Sequence, residues 1–211
     1  MINQKYILLI LNCKKYRNKA LKQKEGWLSK LNPEIKYFHV IGDYDKCNNK
    51  NYLFDYDESI LYTATKDDYL SLPHKVIMAL NAINETYNYK FIFKTDDDQE
   101  LIKNIFFDSM IKILDGADVH YGGRILSVPD HYSTYYTVHS ELPENLLLKK
   151  TTYCNGRFYF LSKPAVESLL TQRKQIKKHI IEDHAIGYYL DDQYKKKIMN
   201  IMSDNVFIDM K

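Results

Sequence analysis

The chain has 211 residues, 45% apolar and 27% charged, with 30 Lys and Arg against 27 Asp and Glu. Such a composition describes a globular protein with room for a real core, and a formal charge of +3 is too weak for a nucleic-acid partner. The apolar run Tyr6–Leu11 is too short for a membrane span or a signal h-region, so no integral membrane segment is expected.

Taken in order, Tyr6–Leu11 reads as a buried first strand. Asn18–Leu31 follows as a helix closed by Asn32-Pro33, then Tyr37–Ile41 as a strand ended by Gly42-Asp43. Residues 43–57 are polar and Asn-rich, hence loop, and Ile60–Tyr62 is a short strand. Ser71 is expected to cap a helix to about Tyr87, with Pro73 in its first turn and the stripe Val76, Leu80, Ile83, Tyr87. Phe91–Lys94 is a buried strand.

Beyond it, 104–114 reads as a helix with Phe106, Met110 and Ile113 on one stripe. Asp118–Tyr121 is a strand stopped by Gly122-Gly123, and 125–150 is irregular. Phe158–Leu161 is a strand, Ser162 caps a helix carrying Val166, Leu169 and Leu170, and Gln172–His179 is a basic loop. A last helix starts at Glu182-Asp183 and carries Ile186 and Leu190. Strands alternating with helices predict a three-layer α/β/α fold with a mostly parallel central sheet. Residues 1–211 are expected to form one domain, with a nucleotide-binding half near 1–98 and an acceptor-binding half near 99–211.

Three cysteines, Cys13, Cys47 and Cys154, show no paired metal spacing. They read as thiols in a reducing compartment, and a cytoplasmic location follows as an expectation. The 19 tyrosines, with abundant Lys, Asn and Ile, are read first as codon bias. Some remain candidates for stacking on sugar rings.

Asp96-Asp97-Asp98 closes the Phe91–Lys94 strand. Three carboxylates at one strand end repel unless a cation or a donor-rich ligand offsets them. Hard oxygen ligands at that spacing suit Mg²⁺ or Mn²⁺ shared with substrate phosphates, and in α/β sheets ligands bind beyond the carboxyl ends of strands. Neither G-x-G-x-x-G nor G-x-x-x-x-G-K is present, so metal and side chains must hold the diphosphate.

Three stretches together resemble one family: Phe91-Ile-Phe-Lys-Thr-Asp-Asp-Asp98, Tyr153-Cys-Asn-Gly-Arg-Phe-Tyr-Phe-Leu-Ser162 and Ile181-Glu-Asp-His-Ala-Ile-Gly187. Their order and separation are similar to the β-1,3-galactosyltransferase/Fringe family of GT-A glycosyltransferases. That family carries Lys-Thr-Asp-Asp-Asp, then Tyr-Cys-Ser-Gly-Gly-Gly-Tyr-x-Leu-Ser, then Glu-Asp-Val-x-x-Gly. Fainter echoes are Lys24-Glu-Gly-Trp27 and the stretch from Asp57 through Asp68 to Lys75.

The resemblance implies a Rossmann-like GT-A fold and a metal-dependent, inverting transfer of a hexose from a UDP-sugar to a glycan, glycoprotein or small-molecule acceptor. It implies Asp98 as the direct metal ligand, with Asp96 and Asp97 on the ribose or bracing the loop, Asp96 also reaching the metal through water. Lys75 is implied in the nucleotide site. Lys94 is either a positive charge near the diphosphate or a strand-end lysine in solvent. Asp183 is implied as catalytic base, although the helix dipole alone also explains carboxylates at 182–183. His184 reads best as a polar helix residue. Gly156 lets the donor sugar approach the backbone, while Arg157, where the family has glycine, narrows that space or contacts the diphosphate. No histidine follows His184, so Asp209 is the candidate replacement for the family's C-terminal metal ligand. Trp27 reads as core. Without anchor or luminal disulfides, the chain looks like a stand-alone domain of bacterial or viral origin. The competing readings are a metal-dependent nucleotidyltransferase and a non-catalytic sugar- or nucleotide-binding relative.

Overall fold

The computed structural model of the chain describes residues 1–210. Its central sheet is built from β1 (Tyr6–Leu11), β2 (Ile35–Gly42), β3 (Tyr52–Asp55), β4 (Ile60–Thr63), β5 (Phe91–Asp96), β6 (Tyr121–Val128), β7 (Thr151–Ser162) and β8 (Met199–Asn200). The order across the sheet is β8-β6-β7-β5-β1-β2-β4-β3. All strands run one way except β7, antiparallel to both neighbours, and β3 at the edge. The largely parallel sheet is therefore as expected, with two strands reversed.

β1 explains the three layers. All six of its residues are buried, and alternate side chains enter different cores. Ile7, Leu9 and Leu11 pack with Val76, Leu80 and Ile83 of α2 (Leu72–Thr86), Val166 and Leu169 of α4 (Lys163–Thr171), and Ile186 of α5 (Glu182–Tyr189). Tyr6, Leu8 and Ile10 pack on the other face with Phe93, Trp27 and the helix α3 (Phe106–Gly116). Among the described residues, no helix is long and apolar enough to cross a membrane.

Several expectations shift for physical reasons. The first helix is split into α1 (Arg17–Glu25) and a 3₁₀ turn, Trp27–Lys30, with Gly26 between them. The Asn-rich segment is not plain loop. Asp43 Oδ1 accepts from Lys46 N at 3.0 Å and caps the turn Tyr44–Cys47. Asn48 and Asn49 then sit at φ 44° and 64°, a region asparagine tolerates, and β3 follows. Asp68, not Ser71, makes the side-chain cap before α2: its Oδ1 accepts from Ser71 N at 2.8 Å. Within α3 the buried face is Phe107, Met110, Ile111 and Leu114, while Ile113 is 48% exposed. The basic stretch contains a short helical turn, Arg173–Ile176, that buries Ile176.

Gly122 and Gly123 do not stop the strand; β6 runs through them. A Cβ on Gly122 would lie 2.4 Å from a Phe160 ring atom, so the glycine allows β6 and β7 to pack here. β7 is likewise longer than expected, with a bulge between Cys154 and Tyr159. Asn155-Gly156-Arg157 is therefore a bulge within a strand rather than a turn.

His39 on β2 is fully buried, and neither ring nitrogen has a partner. Burial, with a smaller contribution from Lys24, holds its pKa down to about 3. The unfolded chain takes up this proton near pH 6.5 and the folded one does not. The stability tied to neutral His39 is thus full above about pH 6.5 and lost as pH falls towards 3. His39→Leu is expected to raise the melting temperature, by more at pH 5 than at pH 8. An equal gain at both pH values in a thermal melt would remove the titration argument.

Candidate active site

A cleft of about 750 Å³ opens beyond the carboxyl ends of β1 and β5. β1 delivers Leu11, Asn12 and Cys13 to it, and β5 delivers Asp96, followed by Asp97 and Asp98 in the turn. The opposite wall is the β7 bulge, Asn155, Gly156 and Arg157, together with Glu182 and Asp183 at the start of α5.

Lys94 links the two walls. It is buried, and its Nζ lies 2.7 Å from Asp96 Oδ1, 2.6 Å from Gly156 O and 3.4 Å from Glu182 Oε2. Burial alone would favour the neutral amine, but Asp96 and Glu182 outweigh it and hold the ammonium above its usual pKa. Lys94 is thus neither a solvated strand end nor free to meet a diphosphate. Glu182 accepts from the Tyr159 hydroxyl at 2.5 Å on its other oxygen, which makes it an anchor inside the fold. Burial raises the pKa of both Glu182 and Asp96, against the pull of Lys94.

Asp183 differs from its neighbour. Its Oδ2 accepts from Gly156 N at 2.8 Å and its Oδ1 from His184 N at 2.7 Å, both backbone donors, and it faces the cleft. Burial raises its pKa, while Lys94 and these N–H groups oppose the rise. α5 reaches this position because Gly187 lets it press on β7: a Cβ there would lie 2.2 Å from Tyr153 Cβ. His184 is buried with Nε2 at 2.8 Å from Lys149 O, away from acid–base work.

The turn is graded. Asp97 is buried, with Lys19 Nζ 3.7 Å away; burial pushes it up to about 7, Lys19 opposes this, and Asp98 and Asp96 add to it. Gln99 Nε2 donates to Asp98 Oδ1 at 2.7 Å and to Asp209 Oδ1 at 3.1 Å. The strand Phe207–Asp209, paired antiparallel with Gln99–Leu101, brings Asp209 there. Among the described residues no three His, Cys, Asp or Glu side chains gather into a metal-holding group. Asp96 turns to Lys94, so Asp96, Asp98 and Asp209 are not gathered around one point. Asp98 lines the cleft and Asp209 lies outside its lining, joined to Asp98 through the Gln99 amide, so of the two only Asp98 faces the space where Mg²⁺ or Mn²⁺ would share its shell with water and substrate phosphates.

Two cations expected at the nucleotide line the cleft and are held there by ion pairs within the fold. Lys75 is buried with Nζ 2.6 Å from Asp67 Oδ1 and 2.8 Å from Asn12 O, bracing the end of β1. Arg157 reaches Asp209 at 2.9 Å, Asp204 at 3.3 Å and Phe207 O at 3.1 Å, tying down the C-terminal strand. Two further lysines, Lys15 and Lys19, line the cleft and flank the Tyr16 ring at 5.3 and 4.3 Å. Nothing in the sequence marked them among 30 Lys and Arg.

Other participants also escaped notice. Gln23 of α1 is fully buried, and its amide donates to Asp96 O at 3.1 Å and Gln99 O at 2.8 Å, bracketing the aspartate turn. A glutamine on a polar-looking helix carries no motif; only its burial reveals it. Trp27 is core, as expected, stacked on Phe107 at 6.0 Å, yet its Nε1 also donates to Gln99 O. Tyr69 and Tyr135 line the cleft with Asp183, and their phenol pKa values, like that of Tyr153, are raised by burial and next by the charge of Asp183.

A family model described as galactosyltransferase matches residues 17–200. No curated protein sequence matches the chain. Among solved structures, the glycosyltransferase GlyE from Streptococcus pneumoniae TIGR4 aligns at 8% identity and TM-score 0.48, over 96% of this chain and 46% of that one. Mouse xyloside xylosyltransferase 1 in its apo form aligns at 12% identity and TM-score 0.43, over 95% of this chain and 85% of that one. The chain spans less than half the length of the pneumococcal structure.

Proposed function

The chain belongs to the galactosyltransferase family, and from that premise we propose that it transfers a hexose from a UDP-sugar to an acceptor hydroxyl, with inversion and with Mn²⁺ or Mg²⁺ bound. The observation that carries this reading is the division of one cleft into an aspartate turn on one wall and Asp183 on the other, separated by the Lys94–Gly156 bridge.

In this reading the diphosphate lies along the turn. Asp98, with Asp209 behind it, would hold the metal, which when bound would supply positive charge to the leaving diphosphate. Lys15 and Lys19 add positive charge along the phosphates. Asp96 and Asp97 face the nucleotide, with Lys75 and Arg157 bracing the β1 end and the C-terminal strand. Asp183 accepts the proton of the acceptor hydroxyl, whose oxygen attacks the sugar from the side opposite the leaving UDP. The two backbone N–H groups fix the carboxylate without neutralising it. Gly156 offers the sugar a wall without a side chain. One domain of this kind, acting on a soluble donor, suffices for the chemistry.

The test is a UDP-release screen with UDP-Gal, UDP-GlcNAc, UDP-Glc and UDP-GalNAc, beside thermal melts with UDP. UDP is expected to raise the melting temperature with Mn²⁺ or Mg²⁺, by the roughly 3 kcal/mol that ligand at about 100 times its Kd supplies, and not with EDTA. Equal protection with EDTA would remove the metal. Pyrophosphate release from a nucleoside triphosphate would move the protein to nucleotidyl transfer.

A further inference from the structure

A second cavity, of about 290 Å³, opens beside the cleft. Tyr135 lines both. Tyr153 lines it too, and both phenols sense the charge of Asp183. None of the three aspartates of the turn lines it. The cavity therefore meets the cleft at Tyr135, away from the aspartate turn.

Its chemistry is unlike that of the cleft. No Asp, Glu, Lys or Arg among the described residues lines it; His131 does, with its Nδ1 2.9 Å from Pro129 O. Ser127, Ser133 and Thr134 supply hydroxyls, Leu148 supplies aliphatic surface, and the two tyrosines supply ring faces. Its volume is at the low end of ligand sites, which run from roughly 300 to 1,000 Å³, so it has room for about one ring. Hydroxyls that both donate and accept, beside aromatic faces, suit an uncharged ring with polar edges and apolar faces. A charged ring would find no carboxylate, lysine or arginine as a counter-ion there and would enter at a desolvation cost.

We propose that this cavity receives the second ring of the acceptor. The first ring presents its hydroxyl at Asp183, and the next unit, an uncharged sugar or aryl ring, packs against Tyr135 and Tyr153. The proposal rests on the glycosyl-transfer reading of the cleft and adds to it that the acceptor is a neutral glycoside at least two rings long.

The test compares methyl, p-nitrophenyl and p-carboxyphenyl glycosides of one acceptor sugar, measured as kcat/KM at a fixed UDP-sugar. The p-nitrophenyl glycoside is expected to exceed the methyl glycoside by about 10-fold, mostly in KM, as one well-stacked ring supplies. The p-carboxyphenyl glycoside should lose that advantage. Thr134→Trp fills the cavity from one wall and Ser127→Trp from another; both positions are exposed, and each change should bring the three glycosides to the same value. Equal methyl and p-nitrophenyl values in the unsubstituted protein, or an advantage that survives both tryptophans in folded variants, overturns the second-ring site while transfer itself stands. Absence of UDP release from every UDP-sugar, with and without glycosides, overturns the parent reading and this one with it.

Discussion

Lys94→Met is expected to destabilise the fold by about 3–5 kcal/mol, the usual cost of removing one partner from a buried ion pair. The methionine fills the space of the lysine stem but leaves Asp96, Glu182 and the Gly156 carbonyl without the ammonium they share. Glu182 keeps only Tyr159. For a chain of this length the melting temperature should fall by about 10 °C. The loss should depend on pH in a defined direction. Without Lys94, burial alone sets the two carboxyls, so their folded pKa values rise further above the unfolded ones. A group raised in this way contributes stability that is complete below the unfolded pKa and lost as pH climbs through the folded one. The deficit should therefore be smaller at pH 5 than at pH 8. Denaturant titration at both pH values checks this; a deficit under about 1 kcal/mol at pH 8 would mean that solvent already satisfies these carboxylates.

That prediction could not be drawn from the sequence, where Lys94 was either a diphosphate contact or a solvated strand end. The layers were legible because β1 is apolar at every position and α2 repeats its apolar residues at helical spacing. The aspartate turn was legible because three adjacent carboxylates at a strand end repel one another, and the Glu182-Asp183 pair because its stretch follows in the order of the family's motifs. The order of contacts inside the cleft was not. Whether a lysine meets a ligand or a fixed partner is decided by segments the fold brings together: Gly156 and Glu182 claim Lys94, the end of β1 at Asn12 claims Lys75 along with nearby Asp67, and the C-terminal strand claims Arg157. The same distance hides Gln23, whose partners lie more than 70 residues away. The strand breaks at Gly122 and in 43–57 were misread because glycine and asparagine mark both turns and places where backbones come close. Only the folded surroundings, the Phe160 ring against Gly122 in one case and the left-handed backbone of Asn48-Asn49 in the other, tell them apart.

Asp183→Asn is expected to lower transfer by about 10²–10⁴-fold, the range of a lost general base, and to leave UDP–Mn²⁺ affinity within about 3-fold. The two effects separate because the residues proposed for the diphosphate lie on the opposite wall. Asparagine keeps the shape, but an amide NH₂ must then face either Gly156 N–H or His184 N–H, where a carboxylate oxygen accepted. That lost bond should cost about 1 kcal/mol of stability, too little to explain the loss of rate. The unsubstituted enzyme should lose activity in acid as Asp183 protonates. Since burial raises that pKa, the fall should begin at a higher pH than for a solvated aspartate. Calorimetry with UDP and Mn²⁺, beside transfer rates from pH 4 to 8, reads both effects. Transfer at the unsubstituted rate would take the base away from Asp183. Glu182 would be a poor successor, because the bonds that make it an anchor, to Tyr159 and Lys94, are the ones it would have to release to take a proton from the cleft.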